Sequence, residues 1–177
     1  RLHNGTIWRW NRPLIGFDAD GTPHLRIEHR VLPAGPTVTD SIANAAFFYG
    51  LVHALATRDV APELELPFAT ARDNFYAAAR DGLDAQLTWL DGRKRPVSSL
   101  LLDQLIPLAR YGLGLLDIEA GDRDLYLGVV KARLRNSCTG ANWQRAYVAR
   151  HGSDMQGLTE AYYQRQQSGL PVHDWDT

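Results

Sequence analysis

Arg26, Glu28 and Arg30 occupy alternate positions of a short segment, Leu25-Arg26-Ile27-Glu28-His29-Arg30-Val31. Side chains on a β-strand alternate between its two faces. The spacing therefore predicts one face reading Arg-Glu-Arg and an opposite face carrying Leu25, Ile27 and Val31. Guanidiniums present planar forks of N–H donors that match phosphate or carboxylate oxygens. A carboxylate between them is a hard oxygen ligand of the kind Mg²⁺ takes together with phosphate oxygens. Such a face suits a site that holds a metal and several anionic oxygens at once.

That strand needs a partner. Thr6 to Phe17 is rich in strand formers, Asp18-Ala19-Asp20-Gly21 is turn chemistry, and Pro23 to Leu32 is the second strand, so an antiparallel hairpin is predicted. Directly opposed residues share a face. If Phe17 faces Thr22, Arg9 lies opposite Arg30 and Asn11 opposite Glu28. If the register slips by one residue, Arg12 faces Glu28 instead. Pro13 cannot donate to the ladder and marks an edge or bulge, so the sequence leaves both registers open. In either, several basic or amide groups converge on one carboxylate. Like charges opposed across a strand pair are destabilising unless something anionic neutralises them, so the surplus invites phosphate or a carboxylate. The competing reading is a solvated sheet face held by cross-strand ion pairs. The imbalance of sign, and Trp8 and Trp10 on the partner strand, weigh against it.

After the break at Pro33-Ala34-Gly35-Pro36 the pattern turns helical. Helices are predicted from Thr37 to about Thr57, Pro67 to Ala79, Ser98 or Ser99 to Leu116, Asp122 to Asn136, Thr139 to Arg150 and Ser153 to Gln167. Asp40 suits the first turn of its helix, and the apolar run from Ile42 to Ala56 predicts cover on several sides. Residues 83–96 are ambiguous, with a turn at Asp91-Gly92. The expected fold is α+β: an antiparallel hairpin over residues 1–36, then a mainly helical region of about six helices over 37–177. A two-stranded ribbon is marginal alone, so it should pack on the helices and continue into a larger sheet.

Bulk properties narrow the classes. The 177 residues carry a net charge of −1, which gives no global pull toward nucleic acid or an anionic membrane. With 45% hydrophobic and 22% charged residues, the composition argues against disorder. Cys138 is the single cysteine, so no internal disulfide forms and a reducing cytoplasm is the expected setting. No apolar run is long enough to span a bilayer. Arg1-Leu2-His3-Asn4-Gly5 has no initiator methionine and runs directly into strand-like sequence. The expectation is the C-terminal part of a longer polypeptide, cut inside a sheet. A sheet edge exposed in that way could itself drive homodimerisation.

Leu25-Arg26-Ile27-Glu28-His29-Arg30-Val31-Leu32-Pro33, a short loop, and then Ser41-Ile42-Ala43-Asn44-Ala45-Ala46-Phe47-Phe48-Tyr49-Gly50-Leu51 resemble the C-terminal catalytic segment of the glutamine synthetase and glutamate-cysteine ligase superfamily. The likeness is greater to bacterial proteins of the glutamate-cysteine ligase type, including carboxylate-amine ligases. His3 to Pro13 resembles the strand that precedes the motif there. Cys138-Thr139-Gly140-Ala141-Asn142-Trp143-Gln144-Arg145 resembles their Gly-Thr-Gly-Ala-Asp-x-Gln-Arg stretch. The resemblance implies a glutamine synthetase-like sheet and amide formation through an acyl phosphate, with ATP and Mg²⁺ (or Mn²⁺) as cofactors. Its substrates would be a carboxylate such as glutamate and an amine such as cysteine, in glutathione biosynthesis. It implies Glu28 as a metal ligand, Arg30 on the substrate carboxylate or transferred phosphoryl group, Arg26 on nucleotide phosphates, and Arg9 or Arg12 as a further phosphate contact. The register with Phe17 opposite Thr22 adds Asn11 as a candidate cofactor contact. The family's other metal-binding carboxylates lie N-terminal to this motif and are not identifiable here, so the chain alone is expected to be inactive. A non-catalytic binding module that keeps the fold is the alternative.

Other chemistry-bearing residues read more simply. His29 alternates to the apolar face and His53 lies on an apolar helix, so both are expected to pack. His3 and His24 are hairpin residues that could line the site. Cys138 precedes a helix but has no His or resolving Cys placed to help it, so a structural thiol is expected. Trp143, Tyr147, Tyr162 and Tyr163 fall at helical spacing and should pack. Arg93-Lys94-Arg95 is too short a basic run to argue for nucleic acid.

Overall fold

A computed structural model describes residues 11–32 and 34–176. Its hairpin geometry is decided at Gly21, which takes φ +86°. The Gly21 N–H donates to the Asp18 carbonyl, and the Asp18 N–H donates to the Thr22 carbonyl, each at 2.9 Å. The loop is therefore the three residues Ala19-Asp20-Gly21, with glycine at the left-handed position that such hairpins require. Thr22 also donates its N–H to Asp20 Oδ1 at 2.9 Å, and this bond holds the Asp20 carboxyl below its usual range.

That loop pairs β1 (Asn11–Phe17) with β2 (Pro23–His29) so that Phe17 faces Pro23 and Arg12 faces Glu28. The register with Phe17 opposite Thr22 does not form, because the Asp18–Thr22 pair closes the loop one residue further out. The expected strand residues 6–10, with Trp8, Arg9 and Trp10, lie outside the described residues.

The chain divides into two compact units, Arg1–Ala34 and Gly35–Thr177. The second is mainly helical. Thr37 caps α1 (Val38–Ala56): its Oγ1 accepts from the Asp40 N–H at 3.2 Å. A single turn, α2 (Pro62–Glu65), precedes α3 (Phe68–Asp81). Next, α4 (Val97–Leu100) passes through a π-helical turn at Leu101–Leu105 into α5 (Ile106–Leu115). The chain then builds α6 (Ala120–Arg135), α7 (Gly140–His151) and α8 (Met155–Gln167). The architecture is α+β, with two small antiparallel hairpins and about six substantial helices.

The ambiguous stretch 83–96 contains the second hairpin, β3 (Gln86–Thr88) with β4 (Lys94–Pro96). Asn74 on α3 holds it: the side-chain amide donates to the Thr88 carbonyl at 2.6 Å and accepts from the Thr88 N–H at 2.9 Å. Helix starts differ slightly from the sequence reading. Pro96 rather than Ser98 or Ser99 precedes α4, α6 begins at Ala120 ahead of Asp122, and Asp154 rather than Ser153 caps α8.

One core is built where α1, α5 and α6 meet. Ile106, Ala109, Leu113, Leu127 and Leu134 are buried there, with Ala46, Phe47 and Leu51 packed against them. Gly50 and Gly112 make the α1–α5 crossing. A Cβ on Gly112 would overlap the Gly50 carbonyl oxygen, and one on Gly50 would overlap that of Ala109. Val38, Ile42, Tyr49 and Val52 on α1 remain exposed in the structure. A second core gathers Trp143, Val172 and Trp175, with Tyr147 and Tyr162 against it. No described helix is long and apolar enough to cross a membrane.

Candidate anion-binding face of the hairpin

The register sorts the hairpin residues onto two faces. Arg12, Leu14, Gly16, His24, Arg26 and Glu28 lie on one; Asn11, Pro13, Ile15, Phe17, Leu25, Ile27 and His29 lie on the other. On the charged face, Arg12 donates from Nε (2.9 Å), with Nη2 at 2.6 Å, to the same Glu28 oxygen, Oε2. Arg30 Nε stands 3.7 Å from Oε1. These three side chains are each about one-third exposed, so the cluster is shielded but open to a solute.

Gly16 explains how so much side chain fits on a narrow ribbon. A Cβ at that position would lie 2.5 Å from both Arg26 Nη2 and His24 Nε2. Without one, the Arg26 guanidinium and the His24 ring fold down over the backbone. His24 Nδ1 also approaches Asp18 Oδ1 at 3.1 Å. Three guanidiniums thus share a face with the single strand carboxylate Glu28.

The structure brings Arg12 and Arg30 to Glu28 and places Arg26 on the same face, with its guanidinium over Gly16. Asn11 does not join them: it faces His29, whose Nδ1 lies 2.7 Å from Asn11 Oδ1. Burial pushes the His29 imidazole below its ordinary pKa. Arg9 lies outside the described residues. His24, read from the sequence as a residue that could line the site, lies beside Arg26, and one contributor was missed: Gly16, the gap beneath both. The loop length was the available signal, since a three-residue loop aligns 16 with 24. The opposite face leaves Ile15, Phe17, Leu25 and Ile27 between 66% and 82% exposed.

This chemistry favours an anion. A phosphate or carboxylate would offset the positive surplus and meet guanidinium forks. A metal has less to hold it: among the described residues, no three His, Cys, Asp or Glu side chains gather into a possible site. Glu28 still offers Oε1, which fits an Mg²⁺ ion carried mainly by phosphate oxygens and other ligands.

The stretch Cys138–Arg145 is taken up by packing. Thr139 caps α7 by accepting from the Asn142 N–H at 3.2 Å, the Asn142 side chain donates to the Ser137 carbonyl at 2.7 Å, and Trp143 is buried. Burial, with Asp40 adding to it, pushes the Cys138 thiol above its ordinary pKa.

Fold and site together define an α+β protein with a strand face rich in arginine followed by a helical unit. The chain belongs to glutamate-cysteine ligase family 2 (GCS2), which matches residues 9–166. A relative from Salinispora tropica, named "Putative glutamate--cysteine ligase 2", is 33% identical over 160 residues, covering 89% of this chain and 39% of that protein. A protein of the same name from Trichormus variabilis is 33% identical over 89 residues, covering 47% of this chain and 23% of that protein. The chain thus spans well under half the length of these relatives. No solved structure matches it.

Proposed function

We propose that the chain supplies part of the active site of an ATP- and Mg²⁺-dependent carboxylate-amine ligase of the glutamate-cysteine ligase type. The observation that carries this reading is the strand face itself, where Arg12 and Arg30 approach Glu28 and Arg26 lies on the same face. In this reading Arg12 and Arg26 hold phosphate oxygens. Arg30 sits on the carboxylate of glutamate or on the phosphoryl group in transfer, and Glu28 presents Oε1 to the metal. A metal-bound nucleotide supplies an electrophilic phosphorus and shields the charge on its phosphates. Arg12 is already held on Glu28 before substrate arrives, so it can stabilise developing oxyanion charge with little reorganisation. Amide formation then follows attack of an amine, such as that of cysteine, on the acyl phosphate. The remaining metal-binding carboxylates come from elsewhere in the longer polypeptide, and the chain alone is inactive. The single cysteine fits a reducing cytoplasm.

The test is ATP hydrolysis by the full-length polypeptide, measured as dependence on glutamate and amine. Glu28→Gln keeps the side-chain shape and removes the charge. The expected fall in turnover is about 10²–10³-fold, the scale of losing one preorganised electrostatic contact. Equal activity would remove Glu28 from the site. The isolated carboxylate on this face favours a second reading, a binding module that retains nucleotide affinity without turnover. Calorimetric ATP binding with no glutamate-dependent hydrolysis would select it.

A further inference from the structure

We propose that residues 170–176 form a strap that opens and closes as one unit on the junction of α1, α6 and α7, with the buried carboxylate of Asp40 as its pin. Asp40 is fully buried in the first turn of α1. Its Oδ2 accepts from Thr37 Oγ1 at 2.9 Å and from the Val172 N–H, 132 residues further on, at 3.0 Å. Its Oδ1 faces Arg133 Nε on α6 at 3.7 Å. Asp40 Oδ1 and the Arg133 Nε and Nη2 atoms are buried with no hydrogen-bond partner among the described residues. The pair is therefore joined by charge across a gap, and the strap's Val172 N–H supplies one of the two hydrogen bonds that reach Oδ2, the other coming from Thr37 Oγ1. A buried charge is costly without such bonds, so the closed strap and the buried carboxylate depend on each other.

The rest of the strap is fastened to the same junction. Cys138 Sγ donates to the Val172 carbonyl at 3.2 Å, so both polar backbone groups of Val172 are tied to separate elements. Trp143 Nε1 on α7 donates to the Asp176 carbonyl at 2.8 Å, and Arg165 on α8 donates to Asp176 Oδ1 at 2.8 Å. The Trp175 ring meets Trp143 and Tyr162 edge-on, at 5.4 and 5.2 Å between centroids. Gly169, at φ +72°, turns the chain out of α8 at its start. Inner pin, aromatic middle and outer tie lie on one short segment with its own 3-10 turn at Val172–Asp174. Its core is distinct from that of α1, α5 and α6, so local opening need not unfold those helices.

Amide hydrogen exchange of the full-length polypeptide, read residue by residue by NMR, tests this. Asp40→Asn is expected to speed exchange across 170–176 at least tenfold while the middle of α1, residues 46–54, keeps its rate. Arg165→Gln removes the side-chain ties to Asp176, leaves the Asp40 carboxylate untouched, and carries the test alone if Asp40→Asn does not fold. It is expected to speed exchange at the Val172 amide as well as at Asp176. The proposal is overturned if the strap exchanges at the rate of α1 in every variant. It is equally overturned if Arg165→Gln accelerates Asp176 and leaves Val172 unchanged.

Discussion

Glu28 and Arg12 illustrate why a residue's partner does not by itself reveal its purpose. Their contact is short, but both side chains are about one-third exposed. Ion pairs so open to solvent contribute at most about 1 kcal/mol to stability, so the pair adds little to holding the hairpin. Cys138 shows the opposite case, a reactive residue type made inert by its surroundings. Its thiol donates to the Val172 carbonyl, and burial, reinforced by the negative charge of Asp40, disfavours the thiolate. The thiolate is the nucleophile. Alkylation by iodoacetamide should therefore rise with pH through a midpoint above the value of about 8.5 for free cysteine. A midpoint at or below that value, in a rate profile of peptide-resolved labelling, would show that the thiol is not held in this way.

At the scale of elements, the α1–α5 crossing separates two effects that usually act together. Alanine in place of a helical glycine gains roughly 0.5–1 kcal/mol from backbone entropy. At Gly112 the new Cβ would overlap the Gly50 carbonyl oxygen, which is backbone and cannot swing aside. Overpacking of that kind costs about 1–3 kcal/mol, so Gly112→Ala should lower the denaturant midpoint despite its better propensity. Gly128 on α6 has open space where its Cβ would go. There Gly128→Ala should raise the midpoint by the propensity gain alone. Both glycines look alike in sequence, because the partner carbonyl lies on a distant helix. The helices themselves were legible, since Thr37 and Thr139 cap their N-termini as polar hydroxyls do and the apolar runs have helical length. The β3–β4 hairpin was not, because strands of three residues carry too little pattern and this one depends on Asn74 from α3. The first hairpin was legible as a hairpin, and its register hung on one question, whether Thr22 pairs with Phe17 or with Asp18.

For the whole molecule, the sequence could place Asp40 only where its helix placed it, as an acid in a first turn. Its partners Arg133 and Val172 come from α6 and from the C-terminal segment, and no local pattern links them. Through Val172, Asp40 thereby ties α1, a helix of the first core, to the segment that builds the second. Burial depresses the Arg133 guanidinium pKa and the charge of Asp40 opposes that effect, as expected for a cation that needs its counter-ion. Removing one member of such a pair leaves an unpaired buried charge and costs about 3–5 kcal/mol, whereas replacing both by apolar side chains is often neutral or stabilising. Asp40→Ala and Arg133→Ala should each lower stability by that amount, measured by urea denaturation. The double variant Asp40→Leu with Arg133→Met should recover most of the loss. It should not recover all of it, because the Val172 N–H and Thr37 Oγ1 lose an acceptor when the carboxylate goes. A double variant no more stable than either single alanine variant would mean that hydrogen bonding to Asp40, rather than its charge pairing with Arg133, holds the junction.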